Sequence, residues 1–271
     1  MKKKKIRPPV KTHGGKHYMA DFIIGLFPED YREMTYCEPM CAGASVFLNK
    51  DRSSEEVIND IDAGIVALYK AIRDEPEELV GRIKKIKYTE KNFKAAQERV
   101  TRPFDDYIEH AVNEYVVRRM SRGGLRKTFG WSDRQRGGQP GDLNAWSTML
   151  EEIPRIAERV KGVTILNVTV FEVLKAWDET TTLFYLDPPY LPETRSVGSR
   201  NAYEHEMTTE DHVKLLDCAL NARGKVVISG YQSPLYTKKL SEWNCKTKSL
   251  ANNSGQGERK ERRVEHVWMN Y

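Results

Sequence analysis

Apolar residues recur along the chain in two rhythms. Runs in which nearly every position is apolar or β-branched fall at 34–38, 56–60, 162–167, 182–186 and 224–229. Such runs predict strands buried on both faces, as in a parallel sheet covered by helices. The first two end in an acid, Glu38 and Asp60, and each is followed by a helix-compatible stretch. Residues 208–220 carry the spacing of an amphipathic helix. Residues 264–269 alternate in the manner of a final strand, and the polar stretch 251–263 before it reads as a loop or hairpin connection. Strands alternating with helices predict an α/β fold.

The sheet rhythm stops between about residues 74 and 162. There 77–86, 90–100 and 104–120 read as helices, followed by the glycine-rich stretches 121–126 and 136–141. The pattern predicts a discontinuous sheet domain, 1–73 and 163–271, with a mainly helical insertion at 74–162. The insertion presents Arg122, Arg126, Lys127, Arg134 and Arg136 together with Phe129 and Trp131.

Composition adds little until it is located. The 271 residues are 39% hydrophobic and 31% charged, which supports a packed core and excludes a disordered or collagen-like polymer. No apolar run approaches the length of a membrane span or of a secretory signal, so the expected location is the cytoplasm. Four scattered cysteines make no disulfide framework, and Cys37 and Cys41 lack the second ligand pair of a zinc site. The net charge of +5 is concentrated in two places. Residues 2–16 hold seven Lys or Arg and no acid, and residues 118–138 hold seven against the single acid Asp133. An anionic polymer is the natural partner of such a surface, although the Lys2 to Lys5 run suits a solvated tail equally well.

The most specific chemistry lies at Asp187-Pro188-Pro189-Tyr190, directly after a buried run. Ligands of open α/β sheets bind beyond the carboxyl ends of the strands. The prolines fix the backbone and remove two donors, leaving an acceptor-rich corner beside an aromatic face. Two acceptors and a stacking ring suit the exocyclic amine of a nucleobase, because both N–H bonds can be drawn out of the ring plane to free the nitrogen lone pair. Residues 191–203, with Arg195 and Arg200, read as a loop beside this corner, and His205 and His212 as helix-cap or surface residues.

Several motifs, in order, resemble the Dam-type (D12 class) DNA N6-adenine methyltransferases over nearly the whole chain. They are Lys11-Thr12-His13-Gly14-Gly15-Lys16, the loop Glu38-Pro39-Met40-Cys41-Ala42-Gly43-Ala44, Asn59-Asp60-Ile61-Asp62, the Asp187–Tyr190 tetrapeptide and residues 224–231. The resemblance implies a Rossmann-like sheet with an inserted target-recognition domain. It implies S-adenosylmethionine as cofactor, held by Thr12, Lys16, Met40, Gly43, Asp60, Ile61 and Asp187, and methyl transfer to an adenine flipped out of double-stranded DNA. Asp187, Pro188, Pro189 and Tyr190 would be the catalytic group, with Arg122, Arg126, Lys127, Arg134, Arg136 and Arg195 on DNA. No metal is implied, and a monomer is the family expectation. Met40 stands where relatives carry an aromatic, Thr12 where they carry Trp or Tyr, and Ala42 and Ala44 leave Gly43 the only glycine of its loop. Two other readings stay open: methylation of cytosine N4, which needs the same acceptors, and a DNA-binding protein with little turnover.

Overall fold

The computed structural model describes residues 4–195, 204–251 and 262–271. Lys2 and Lys3, residues 196–203 with Arg200, and residues 252–261 of the connection before the last strand lie outside them. Among the described residues the strands are β1 (Thr35–Glu38), β2 (Glu55–Asn59), β3 (Gln135–Arg136), β4 (Gln139–Pro140), β5 (Thr164–Leu166), β6 (Thr182–Leu186), β7 (Lys225–Gly230), β8 (Asn244–Ala251) and β9 (Arg262–Met269). The helices are α1 (Ala20–Ile24), α2 (Ser45–Asn49), α3 (Ala63–Asp74), α4 (Pro76–Lys84), α5 (Glu90–Arg99), α6 (Tyr107–Met120), α7 (Gly141–Val160), α8 (Val170–Trp177), α9 (Thr209–Leu220) and α10 (Pro234–Lys239). None of them is long and apolar enough to cross a membrane.

Seven strands form one mostly parallel sheet in the order β5-β2-β1-β6-β7-β9-β8, while β3 and β4 make a separate antiparallel ribbon. Every residue of β6 is buried, as are the last five of β7 and the last four of β2. That burial is why these segments read as near-continuous apolar runs. β6 lies parallel between β1 and β7, with Tyr36 opposite Leu183 and Leu186 opposite Ile228. β9 runs antiparallel to β7 and to β8. Chain order reverses between β1 and β6, so the sheet's topological switch point lies beyond Glu38 and Leu186.

The chain divides into two compact units. One comprises Phe27–Met40, Arg52–Val57 and Thr169–Tyr271. An aromatic group of Phe27, Tyr31, Tyr36 and Tyr185 packs within it. Its helices begin where the sequence supplies caps: Thr169 with Glu172 and Thr208 with Asp211 form capping boxes, and Ser233 caps α10 ahead of Pro234. His212 departs from expectation. The cap of α9 is Thr208, whereas His212 lies one turn inside the helix and is fully buried, with Nδ1 2.9 Å from Tyr236 Oη. Burial lowers its pKa to about 4, against the opposing pull of the Pro189 carbonyl, so the ring is neutral at pH 7. His205 is exposed.

The other unit comprises Met1–Leu26, Cys41–Asp51 and Ile58–Val168. Its centre is α3 packed against α6 and α7, with α5 on α6. α3 starts at Asp62, whose carboxylate accepts from the amides of Gly64 and Ile65. Thr89 and Asp106 cap α5 and α6 in the same way. α7 is not evident from the sequence, because Pro140 precedes it, Gly141 opens it and Pro154 lies within it, removing a donor from its interior. Gly64 lets α6 approach closely, since a Cβ there would stand 2.7 Å from the Glu114 carboxyl.

Around that contact Arg118 donates to Glu114 and to Asp62, and Arg126 lies 3.4 Å from Glu114 and 3.6 Å from Asp62. Glu114 is fully buried. Removing one partner of a buried ion pair costs far more than replacing the whole set, because the remaining charge stays desolvated. Glu114→Ala is therefore expected to lower folding stability by about 3–5 kcal/mol. Urea denaturation followed by circular dichroism measures this, and an unchanged midpoint would show the cluster to be energetically neutral.

Candidate active site

β6 delivers Asp187 to the carboxyl edge of the sheet and β7 supplies its partner. Because Leu186 pairs with Ile228, the next two residues fall side by side, and Ser229 Oγ donates to Asp187 Oδ1 at 2.8 Å. Tyr185 Oη lies 2.9 Å from Ser229 Oγ. The serine hydroxyl has one proton, which goes to the carboxylate, so the tyrosine is the donor to serine. A directed chain from Tyr185 through Ser229 to Asp187 thus fixes the carboxylate. Pro188 and Pro189 add carbonyl oxygens and no N–H. At the end of β1, in the same unit, Tyr36 Oη donates to Glu38 Oε2 at 2.6 Å. Burial, reinforced by that carboxylate, raises the Tyr36 phenol well above its usual pKa.

Tyr190 completes the corner. Its hydroxyl donates to Glu265, and its ring centroid lies 4.3 Å from that of Tyr231. The Tyr190 carbonyl accepts from the guanidinium of Arg195, at 2.6 Å from Nε, and Arg195 also pairs with Glu206 at 2.6 Å. Arg195 is buried. Here it braces the backbone after the tetrapeptide, with its charge turned inward.

In the other unit, the acid after β2 anchors a loop. Asp60 accepts from the amide of Ala42 at 2.7 Å through Oδ2 and from that of Asp62 at 2.9 Å through Oδ1. Burial raises its pKa to about 6, although both amide hydrogen bonds oppose the shift. Ile61 beside it is 47% exposed. Asn167 donates to the carbonyls of Asp60 and Ile61, at 2.8 and 3.1 Å, so it shapes this turn, whereas the Thr169 hydroxyl caps α8.

The N-terminal segment belongs to the same unit. A Cβ on Gly43 would meet Thr12 Oγ1 at 3.1 Å and Pro8 Cβ at 3.3 Å, so a side chain here would crowd the approach of residues 8–12. Lys16 is buried with Nζ 3.0 Å from the Gly14 carbonyl. Met40, assigned to the cofactor with these residues, lies in the first-described unit and is half-buried.

The basic residues separate into distinct groups. Arg122, Lys127 and Arg134 are exposed. Arg126 is turned onto Asp62 and Glu114. The side chain of Arg136 lies outside the described residues. Trp131, 43% exposed, donates to Asp133 at 2.7 Å and packs on Tyr88.

Two site residues escaped sequence reasoning. Ser229 was legible as a polar residue near the end of a buried strand. Glu265 was legible as a charged residue in the same strand phase as the buried Val267 and Met269.

A mostly parallel α/β sheet with an acid, two prolines and an aromatic at its switch point defines a methyltransferase architecture. The family model for the D12 class N6 adenine-specific DNA methyltransferases matches residues 13–253, and the chain belongs to that family. It is 26% identical to the Type II methyltransferase M1.LlaDCHI of Lactococcus lactis subsp. cremoris, over 98% of this chain and 96% of the relative. A DNA adenine methylase of Vibrio cholerae serotype O1 is 24% identical, over 88% and 85% of the two chains. The Type II methyltransferase M.MjaIII of Methanocaldococcus jannaschii is 23% identical, over 98% and 99%. The protein is thus a site-specific DNA methyltransferase acting on N6 of adenine, and the cytosine and turnover-poor readings give way.

Ser229→Ala is expected to slow adenine methylation about 10-fold, the worth of one hydrogen bond to a charged acceptor. Single-turnover formation of N6-methyladenine measures it, and a rate equal to the parent's would show that the chain to Asp187 does not matter.

Proposed function

We propose that this protein transfers the methyl group of S-adenosylmethionine to N6 of an adenine turned out of double-stranded DNA, with Asp187, Pro188, Pro189 and Tyr190 as the corner that receives the base. The observation that carries the assignment is the Tyr185–Ser229–Asp187 chain, which orients an acceptor three residues before the buried Tyr190. In this reading the Asp187 carboxylate and the Pro188 carbonyl accept the two N–H bonds of the adenine amine. Tyr190 lies against the base, and Arg195 holds the Tyr190 backbone.

The residues after β2 suit the cofactor. Each Asp60 oxygen accepts one amide and retains a lone pair for a ribose hydroxyl. Ile61 offers an apolar face to a purine, and Lys16 with Thr12 a polar end for the methionine carboxylate. Gly43 keeps the N-terminal segment close to this loop. S-adenosylmethionine, when bound, supplies a methyl group made electrophilic by its sulfonium. The block 74–162 is assigned to target recognition, with the exposed Arg122, Lys127 and Arg134 toward DNA. Arg126, paired with Asp62 and Glu114, braces this block from within.

Incubation with unmethylated DNA of mixed sequence and S-adenosylmethionine, read by nucleoside mass spectrometry, tests the corner. Asp187→Ala is expected to reduce N6-methyladenine at least about 100-fold. An unchanged rate would remove Asp187 from the reaction.

A second expectation follows from Asp60. Its raised pKa means that the carboxylate gains a proton as pH falls through about 6, well above the range of an ordinary aspartate. Cofactor affinity is then constant above neutrality and weakens below pH 6, and in Asp60→Asn this dependence disappears. Calorimetric titration between pH 5 and 8 measures it, and a parent affinity that is flat to pH 5 would show that the protonation of Asp60 does not govern cofactor binding.

A further inference from the structure

The last strand carries an acid that the family assignment leaves without a role. Glu265 lies in β9, is 1% exposed, and accepts the hydroxyl hydrogen of Tyr190, itself 8% exposed. The antiparallel register that sets Val267 against Ser229 and His266 against Gly230 brings Glu265 level with the residue after β7, Tyr231. Arg263 stands two positions earlier and therefore on the same face of the strand. Its guanidinium reaches the Tyr231 hydroxyl at 3.3 Å. One face of β9 thus touches both rings of the Tyr190–Tyr231 pair, each through its hydroxyl.

The geometry of a tyrosine says what such a contact does. Its hydroxyl lies on the axis about which the ring spins, so anchoring it fixes the direction of that axis and leaves the spin open. The spin is limited from the side, by the Tyr231 ring with its centroid at 4.3 Å and a 42° tilt. Together the two contacts define one ring plane. Stacking itself makes no use of the hydroxyl, since a phenylalanine presents the same face. A buried carboxylate is expensive to maintain unless it is hydrogen-bonded, and this one accepts the hydrogen bond of the Tyr190 hydroxyl.

We propose that Glu265 is a positioning residue that presets the plane of Tyr190 before the target base arrives. This rests on the reading that Tyr190 stacks on the base. Displacements of an ångström at a reacting centre cost rate far more than they cost binding. The effect therefore belongs in the methyl-transfer rate, with cofactor affinity unmoved.

The test is a double-mutant cycle on single-turnover N6-methyladenine formation, using unmethylated DNA of mixed sequence, with calorimetric S-adenosylmethionine binding in parallel. Glu265→Ala and Tyr190→Phe are each expected to slow transfer about 10-fold or more, and the double variant no further than the slower single one. Glu265→Gln keeps an acceptor oxygen in place and is expected to recover most of the loss. Cofactor affinity stays within about twofold throughout. Multiplying losses in the double variant, or Tyr190→Phe at the parent's rate, would overturn the proposal. If Glu265→Ala loses its cooperative melt, Tyr190→Phe decides alone, because it removes the same bond from the other side. Tyr190→Ala separates the two levels. Parental methylation by that variant removes Tyr190 from the base site and the role of Glu265 with it. An inactive Tyr190→Ala beside an unimpaired Tyr190→Phe overturns Glu265 only.

Discussion

The parallel register of β6 on β7 is the constraint on which the site depends. It sets Asp187 beside Ser229 one step beyond the last paired residues, Leu186 and Ile228. A slip of one position would turn every side chain of β6 to the opposite face. The fully buried β6 makes that slip prohibitive, since Leu183, Phe184, Tyr185 and Leu186 are all packed. The same register sets the Tyr185 hydroxyl at Ser229, so one strand supplies both the start and the end of the hydrogen-bond chain. β9 then extends the logic across the antiparallel pair, placing Glu265 at Tyr190 by the pairing that sets Val267 against Ser229. The corner is therefore specified by strand pairing more than by the loop that follows it.

A different principle organises the acid after β2. Asp60 and Asp62 stand two residues apart, and each is engaged by groups distant in sequence. Asp60 holds the Ala42 amide, while Asp62 both caps α3 and takes Arg118 from α6. Arg126, from the basic block, closes on the same carboxylate with its backbone in the left-handed region at φ 62°. Gly124 nearby is held against the N-terminal segment, where a Cβ would collide with the Lys11 carbonyl at 2.3 Å. Lys11 in turn reaches the Arg119 carbonyl and Asp142. The basic block and the glycine-rich N-terminal segment are thus packed on one another within one unit, around the acids that lead into α3. Charge here is used internally as well as displayed.

Much of this was legible from residues alone, for identifiable reasons. Buried parallel strands announce themselves as continuous apolar runs, and the acid-proline-proline-aromatic sequence locates the end of one of them. Helix α7 was missed although its apolar stripe is plain once sought: Trp146, Met149, Leu150, Ile153, Ile156 and Val160 are buried at helical spacing. The glycine and prolines at 140, 141 and 154 outweighed that signal. β8 was missed because the outermost strand of the sheet carries lysines and asparagine, with little apolar alternation to read. Arg126 and Arg195 looked like surface cations because charge alone says nothing about a buried acid elsewhere in the chain. Their partners, Glu114 at position 114 and Glu206 at position 206, become neighbours only through tertiary packing. His212 was misjudged for a related reason, since the cap lies at Thr208 and the histidine falls on the inward face of α9.

In the loop after β1, conformation decides what composition does not. The loop holds a single glycine, Gly43, although left-handed backbone normally favours that residue. Ala42 and Ala44 nevertheless adopt that region, at φ 44° and 47°, each at a cost of roughly 1–2 kcal/mol. Both are held there by hydrogen bonds that the conformation itself creates. The Ala42 amide meets Asp60 Oδ2 at 2.7 Å, and the Ala44 amide meets the Cys41 carbonyl at 2.5 Å. Gly43, between them, needs no left-handed angle, and its missing side chain makes room for Thr12 and Pro8. The single glycine of the loop thus sits where space is short, Ala42 sits where a buried carboxylate can hold it, and Ala44 where the Cys41 carbonyl can. A buried acid whose oxygens are already aligned by two amides is a more exacting constraint on this loop than the number of its glycines.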